Sequence, residues 1–341
     1  MRNSTCLLQP SLATTVALPV IYSFLFPAGS IGNILTAWIF SRQALTKRAQ
    51  YIYVVNLVSA NLLICSTMPF LTAYFARGYQ WTYNSVPCGI VNYLGTLTMH
   101  VSMYVTIMIL SSIALSQYAT LKKNIDAKYS QAVNENCQRF LLKKFRQPKF
   151  AKYLCIIIWL TVLCTTVIAI ARNAQARTME ESPTCYNIKA EAGELGAVIV
   201  ATGCFFLSFM MVLLSYYSLT RHLSEIQKNT CIEEKHLIYR TVKRNVFVIQ
   251  MILTVCFLPY HIFRPIFYVM LTNNDCPRLN YLVEIKNFLT CLAAAKSSLD
   301  PVITLLLDKT CKKSLCGLFT RSTPEQHKRN ADIFIEESPD M

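Results

Sequence analysis

Long apolar runs alternate with short polar ones seven times along this chain. The runs cover roughly residues 16–40, 51–75, 86–118, 153–171, 195–219, 245–271 and 281–307. Each holds about 19 residues or more, close to the ~20 that a helix rising ~1.5 Å per residue needs to cross ~30 Å of hydrocarbon. The pattern predicts an all-α membrane protein, a bundle of seven transmembrane helices spanning residues 16–307. An odd number of crossings puts the two ends of the chain on opposite sides. With only 9 glycines in 341 residues, the spans should be regular helices.

Composition agrees with that pattern. The chain is 53% hydrophobic and 15% charged, with a mean hydropathy of +0.36. A soluble protein would carry about 25% charged residues. The longest stretch between spans is about 34 residues, too little for a separate soluble domain.

The net charge is +15, and its placement orients the bundle. The segments after spans 1, 3, 5 and 7 hold 24 of the 33 Lys and Arg residues. The N-terminus and the segments after spans 2, 4 and 6 hold 6. Cytoplasmic loops collect Lys and Arg, so the N-terminus, residues 1–15, is expected outside. The basic side then meets anionic inner-leaflet lipid, and the charge calls for no nucleic acid. No basic and apolar leader with a cleavage site precedes span 1, so span 1 itself is expected to direct insertion. Asn3 opens an Asn-Ser-Thr glycosylation acceptor on the outer side.

Four of the 14 cysteines fall on that oxidising side: Cys6, Cys88, Cys185 and Cys276. An even number suggests two disulfides, and four cysteines allow three pairings. Cys88 opens span 3 and Cys185 lies between spans 4 and 5. The favoured pairing joins these two, and Cys6 to Cys276; the alternative leaves one or more free. Cys311 and Cys316 follow span 7 and are candidates for palmitoylation.

Three connecting segments are long. Residues 119–152 are strongly basic. Residues 172–194 carry Glu180, Glu181, Glu191 and Glu194 and read as an acidic lid over the outer face. Residues 220–244 end in Lys243 and Arg244 at the foot of span 6. After span 7, residues 308–319 mix basic and apolar positions at helical spacing, the mark of a short amphipathic helix on the inner leaflet. The tail, 320–341, is polar and expected to be disordered.

No catalytic set is present: no glycine-rich phosphate loop, no Cys-x-x-Cys and no His-Glu-x-x-His. An enzyme is not expected, and no cofactor is called for.

One marker stands in almost every span. They are Gly32-Asn33 in span 1 and Asn56, Asn61 and Met68-Pro69-Phe70 in span 2. Trp81 lies in the first outer loop and Cys88 opens span 3. Trp159 follows in span 4 and Tyr216-Tyr217-Ser218 in span 5. Span 6 has Cys256-Phe257-Leu258-Pro259-Tyr260-His261, and span 7 has Leu299-Asp300-Pro301. In this order and topology they resemble the rhodopsin-like (class A) G-protein-coupled receptors over nearly the whole chain. Phe257, the Pro259-Tyr260-His261 run, Arg264, Asp300-Pro301 and a Cys6–Cys276 tether are similar to the nucleotide and lipid receptor branch. The resemblance implies a plasma-membrane receptor for an extracellular small molecule, with a heterotrimeric G protein or arrestin as cytoplasmic partner. It also implies that Pro259 is the kink on which span 6 moves.

In that branch, cations at the positions of Arg264 and Lys286 hold phosphate or carboxylate, for which the Arg fork is suited. Tyr260, His261 and His100 would sit deeper and orient the ligand. The plainer alternative pairs Lys286 with Glu284 or the acidic lid and lets Arg264 snorkel to water.

Several positions depart from the pattern. The Asp-Arg-Tyr expected at the foot of span 3 reads Ser116-Gln117-Tyr118, so the arginine that meets the G protein is absent. The tyrosine expected after Asp300-Pro301 is Thr304. Phe209 stands where span 5 would carry proline, eight residues before Tyr217. Cys88 lies 29 residues before Gln117, one helical turn more than the resemblance implies. Relatives bind sodium between spans 2 and 7; here those positions are Asn61 and Lys296. A bare cation at mid-membrane costs roughly 2.5–3.5 kcal/mol or more. Asp300 is one turn from Lys296, so the ammonium is expected to fill the sodium volume, held by Asp300 and Asn61; the alternative points Lys296 into a water-filled cavity without that pairing.

Two functional readings follow. The first is a signalling receptor. The second is a seven-helix interaction or decoy protein that does not couple, because Gln117 and Thr304 replace two groups used in coupling. A transporter would show internal repeats, and the chain has none.

Overall fold

The computed structural model describes residues 9–42, 49–78, 97–126, 142–177, 195–229, 233–270 and 276–307. The helices are α1 (Leu18–Arg42), α2 (Ala49–Ala76), α3 (Leu97–Asp126), α4 (Pro148–Arg177), α5 (Leu195–Asn229) and α7 (Cys276–Leu307). Between α5 and α7 runs α6, built from Glu233–Ile252 and Leu258–Met270 and joined by the π-helical turn Leu253–Phe257. Among the described residues, six of these helices are long and apolar enough to cross a membrane. The remaining one, α7, has 32 residues, ample length, but its apolar run is diluted by Glu284, Lys286, Lys296 and Asp300.

The packing is a closed bundle. α1 lies against α2 and α7, α2 against α3 and α4, and α3 against α4, α5 and α6; α6 and α7 complete the ring. α3 is the central helix: two thirds of its apolar window is buried, against about a quarter for α1, α4 and α5. The outward faces of α4 and α5 are greasy, with Ile157, Leu160, Val200 and Leu207 exposed. Polar residues sit inside: Asn33, Asn61, Lys296, Ser297 and Asp300 are all buried. An apolar outside around a polar interior is what lipid selects, because the chains of the bilayer offer polar groups no partner.

The expectation of regular helices is corrected at two places. Ala13–Ala17, leading into α1, and Leu253–Phe257, within α6, are π-helical. In each the residue after the turn donates its N–H five residues back, Leu18 to Ala13 and Leu258 to Leu253. In each the next residue is a proline, Pro19 or Pro259. Proline lacks the N–H for the usual bond, and its ring crowds the carbonyl four residues back, so the turn widens. Proline, not glycine, sets the irregularity.

Boundaries also differ. The segments 220–229 and 233–244, read as loop, are helical continuations of α5 and α6. A helix satisfies its own backbone and need not stop where the hydrocarbon does. Helix α3 is described from Leu97; the extra turn expected nearer residue 88 lies outside the described residues. So do most of the acidic segment, 178–194, the proposed helix 308–319 and the tail.

Glycine matters where α1 meets α7. A Cβ at Gly32 would stand 2.8 Å from Pro301 Cβ, and one at Gly29 would stand 2.7 Å from Ser298 Oγ and 2.5 Å from Cys65 Sγ. The two helices approach closely because these positions carry no side chain.

Candidate functional site

A polar and aromatic cluster lies between the N-terminal part of α3 and the C-terminal part of α6. His100 Nε2 is hydrogen-bonded to the Tyr260 hydroxyl at 2.8 Å. One turn along each helix, Arg264 Nη1 donates to the Tyr104 hydroxyl. Both helices advance by four residues between the two bonds, yet spans 3 and 6 run in opposite directions. The two bonds therefore cross, with long side chains reaching past one another. His261 is fully buried between them. Its ring stacks on Phe205 of α5, with centroids 4.1 Å apart, and meets the edge of Tyr104 at 5.5 Å. Neither of its ring nitrogens has a hydrogen-bond partner among the described residues.

Lys286 of α7 is 5% exposed, and its Nζ lies 5.6 Å from the centre of the Phe267 ring. Phe267 is three residues from Arg264, so the two share one face of α6. Arg264 and Lys286 thus flank Phe267 from two helices. Glu284, the carboxylate two residues from Lys286, instead accepts from the Ser11 amide at 2.7 Å and the Thr14 hydroxyl at 3.4 Å. Asn280 donates to the Gln9 carbonyl at 2.6 Å. The segment from Gln9 to Thr15 is therefore fastened along the start of α7.

The five residues expected at the outer site thus divide. His100, Tyr260, His261 and Arg264 come together with Tyr104 and Phe205, which sequence reasoning missed. Lys286 stands beside them across Phe267. Tyr104 was legible in principle, since it lies one turn after His100 on the same face. Phe205 had no local signal.

A second polar cluster lies deeper, at the junction of α1, α2 and α7. The Lys296 ammonium, fully buried, forms an ion pair with Asp300 Oδ2. It also donates to Asn61 Oδ1 at 3.3 Å. The Asn61 amide donates to Asp300 Oδ2 at 2.8 Å and to Asn33 Oδ1 at 3.1 Å. Asn33 in turn donates to the carbonyls of Gly29 and Ser297, both at 2.8 Å. Both ends of the ion pair and both ends of two amides are thus engaged, which is how a buried charge pair avoids leaving polar atoms unsatisfied. A sodium ion, which the resemblance implies here, does not fit these residues: the oxygens it would need already hold the lysine ammonium. Among the described residues, no group of three or more His, Cys, Asp or Glu could hold a metal ion. Cys256 is buried in the π turn of α6, which packs against α7. Phe257, the next residue in the π turn, is fully buried in the apolar core.

Toward the C-terminal part of α3, Ser116 is buried and Gln117 is half-buried, with its Oε1 lacking a hydrogen-bond partner among the described residues. The Tyr118 hydroxyl is hydrogen-bonded to Ser218 at 2.8 Å, tying α3 to α5. Tyr217, expected with Ser116, Gln117, Tyr118, Lys243 and Arg244 on the G-protein-facing side, differs from its neighbour Tyr216. It is 64% exposed, whereas Tyr216 packs against Phe247 of α6 at 5.7 Å. Adjacent helical residues point ~100° apart, so only one of the two can face the partner helix. Lys243 is half-buried and Arg244 exposed. Elsewhere, Trp159 Nε1 donates to Asn56 Oδ1 at 3.1 Å, joining α4 to α2. Asn3, Cys6, Cys88, Cys185, Cys311 and Cys316 lie outside the described residues, and of Cys276 only the backbone is described.

Comparison with known proteins agrees with these features. Residues 32–135 and 136–303 match the family "7 transmembrane receptor (rhodopsin family)". "Probable G-protein coupled receptor 82" of Mus musculus is 49% identical over 326 residues, covering 94% of this chain and 99% of that protein. "Probable G-protein coupled receptor 34" of Pan troglodytes is 27% identical over 326 residues, 93% of this chain and 79% of that one. A purinoceptor of Bos taurus, the one numbered 14, is 24% identical over 348 residues, 97% and 95% of the two chains. A polar-cored, seven-helix bundle with a family match across most of its length and a near full-length relative at this identity leaves one conclusion. The chain belongs to the rhodopsin family of seven-transmembrane receptors.

Proposed function

We propose that this receptor, a multi-pass protein of the plasma membrane with its N-terminus outside, is switched by a small anionic molecule. The ligand enters from the outer side and places its phosphate or carboxylate between Arg264 and Lys286. One observation carries this reading: Arg264 is a half-buried cation whose hydrogen-bond partner is a neutral phenol, Tyr104. A guanidinium held away from water is stabilised most by a carboxylate or phosphate that its fork can bind with two bonds. Among the described residues no carboxylate does so, and Glu284 is engaged by the N-terminal segment. The bond from Arg264 to Tyr104 of α3 favours this reading over snorkelling to water. The resemblance of the chain to a purinoceptor supports the anionic class and no particular molecule.

Binding there would draw α6 and α7 together across Phe267. The π turn and Pro259 give α6 a place to bend, since the backbone there already lacks one ordinary helical bond. Lys243 and Arg244 then move with the inner end, toward a G protein or arrestin. The test is a screen of nucleotides, lysophospholipids and carboxylates, with arrestin and G-protein recruitment read directly. An agonist found this way should lose 10-fold or more in potency in Arg264→Gln and in Lys286→Gln, about 1.4 kcal/mol or more for a lost charge-assisted bond. Unchanged potency in both variants would refute the anion site.

The second reading, a bundle that does not couple, is favoured by Gln117. Its carbonyl oxygen has no partner among the described residues, and no arginine stands at that position. A nucleotide-exchange assay comparing the natural chain with Gln117→Arg separates the two. Exchange by the natural chain supports coupling; exchange only by the variant supports the decoy.

A further inference from the structure

We propose that the Lys296 side chain is a built-in cation that replaces an exchangeable one at the junction of α1, α2 and α7, so that this receptor is indifferent to sodium.

The argument begins with Asp300. It is almost fully buried on α7, and a buried carboxylate needs a cation or it costs several kcal/mol. Two sources are available to a membrane protein. A diffusible cation stabilises the state that binds it in proportion to RT ln(1 + [L]/Kd), so its effect follows the salt outside. A lysine on the same helix supplies the same charge at a fixed local concentration, whatever the salt. Here the second arrangement is complete. Lys296 lies one turn before Asp300 and pairs with it, and its ammonium also meets Asn61 Oδ1.

The surroundings match that choice. A metal ion at this point would need both oxygens now bound to the ammonium. The Asn61 amide is held at both ends, its oxygen by Lys296 and its nitrogen by Asp300 and Asn33. Asn33 is held in turn by the Ser297 carbonyl, the residue after Lys296. The chain of bonds closes on itself across three helices. Helix α7 also packs against the π turn of α6, so a charge fixed here is fixed beside the turn at which α6 is proposed to bend. The cation that neutralises Asp300 therefore cannot leave when the receptor changes state, and salt cannot bias that change.

The test needs no agonist. The full chain is purified and its thermal unfolding followed in NaCl, KCl and N-methyl-D-glucamine chloride, each at about 0.15 M. The natural chain should melt at the same temperature in all three. Lys296→Ala empties the ammonium position and strands Asp300; it should gain a saturable, sodium-specific rise of about 2–4 °C. Adding Asp300→Asn should abolish that rise. Where Lys296→Ala does not fold, the exchange Lys296→Asn with Asn61→Asp places the carboxylate on α2 and serves the same comparison. A sodium-specific rise in the natural chain overturns the proposal. So does a variant that folds with Lys296 removed and Asp300 kept, yet melts alike in all three salts.

Discussion

Replacing Tyr104 by Phe removes one oxygen and leaves the ring against His261 in place. The oxygen is the acceptor of the Arg264 hydrogen bond. A hydrogen bond to a charged group contributes about 1.5–3 kcal/mol, and the ring keeps the volume filled, so no cavity term is added. At about 2 °C per kcal/mol, the apparent Tm of purified receptor should fall by about 3–6 °C. In an Arg264→Gln background the same change should cost much less, because the partner is already gone; this double-mutant cycle isolates the pair. The functional sign is opposite. Arg264, released from Tyr104, is free for a ligand anion, so an agonist of the anionic class should become more potent as the protein becomes less stable. Losses in Tm that simply add across the cycle would refute the crossed-bond reading of this site.

Other outcomes follow from single contacts. Gly32→Val should destabilise by about 1–3 kcal/mol or abolish surface expression, because even a Cβ there meets the rigid Pro301 ring at 2.8 Å; flow cytometry of tagged protein reads it. Trp159→Phe removes the bond to Asn56 Oδ1 and should cost about 0.5–1.5 kcal/mol in thermal unfolding, with no effect on ligand potency. Gln117→Leu should be neutral or stabilising, since it replaces an amide whose oxygen has no partner among the described residues by an apolar group of similar size. A marked loss of stability in Gln117→Leu would mean that the amide is bonded.

The sequence by itself settled what depends on local composition. Apolar runs of membrane length gave seven spans, and the basic bias of alternate segments gave an expected orientation. Lys296 and Asp300 were legible as a pair because i and i+4 neighbours must meet on a helix whatever surrounds them. Asn61 as their partner came from the resemblance, across 235 residues, and not from spacing. Other features were decided only by how the helices pack. His261 reads as a ligand group in sequence; in the bundle it is stacked on Phe205, which lies 56 positions away and carries no local mark. Tyr104 and Arg264 meet across 160 residues because α3 and α6 cross at one height. Tyr216 faces α6 and Tyr217 faces outward, a choice made by the rotation of α5, which an all-apolar helix does not encode. The hydrophobic effect that orients helices in water is weak between lipid and lipid-like side chains, so rotation and register rest on close contacts and polar bonds. Those contacts, Gly29 on Ser298, Gly32 on Pro301, and Asn33 to Asn61 to Asp300, exist only once the bundle has closed.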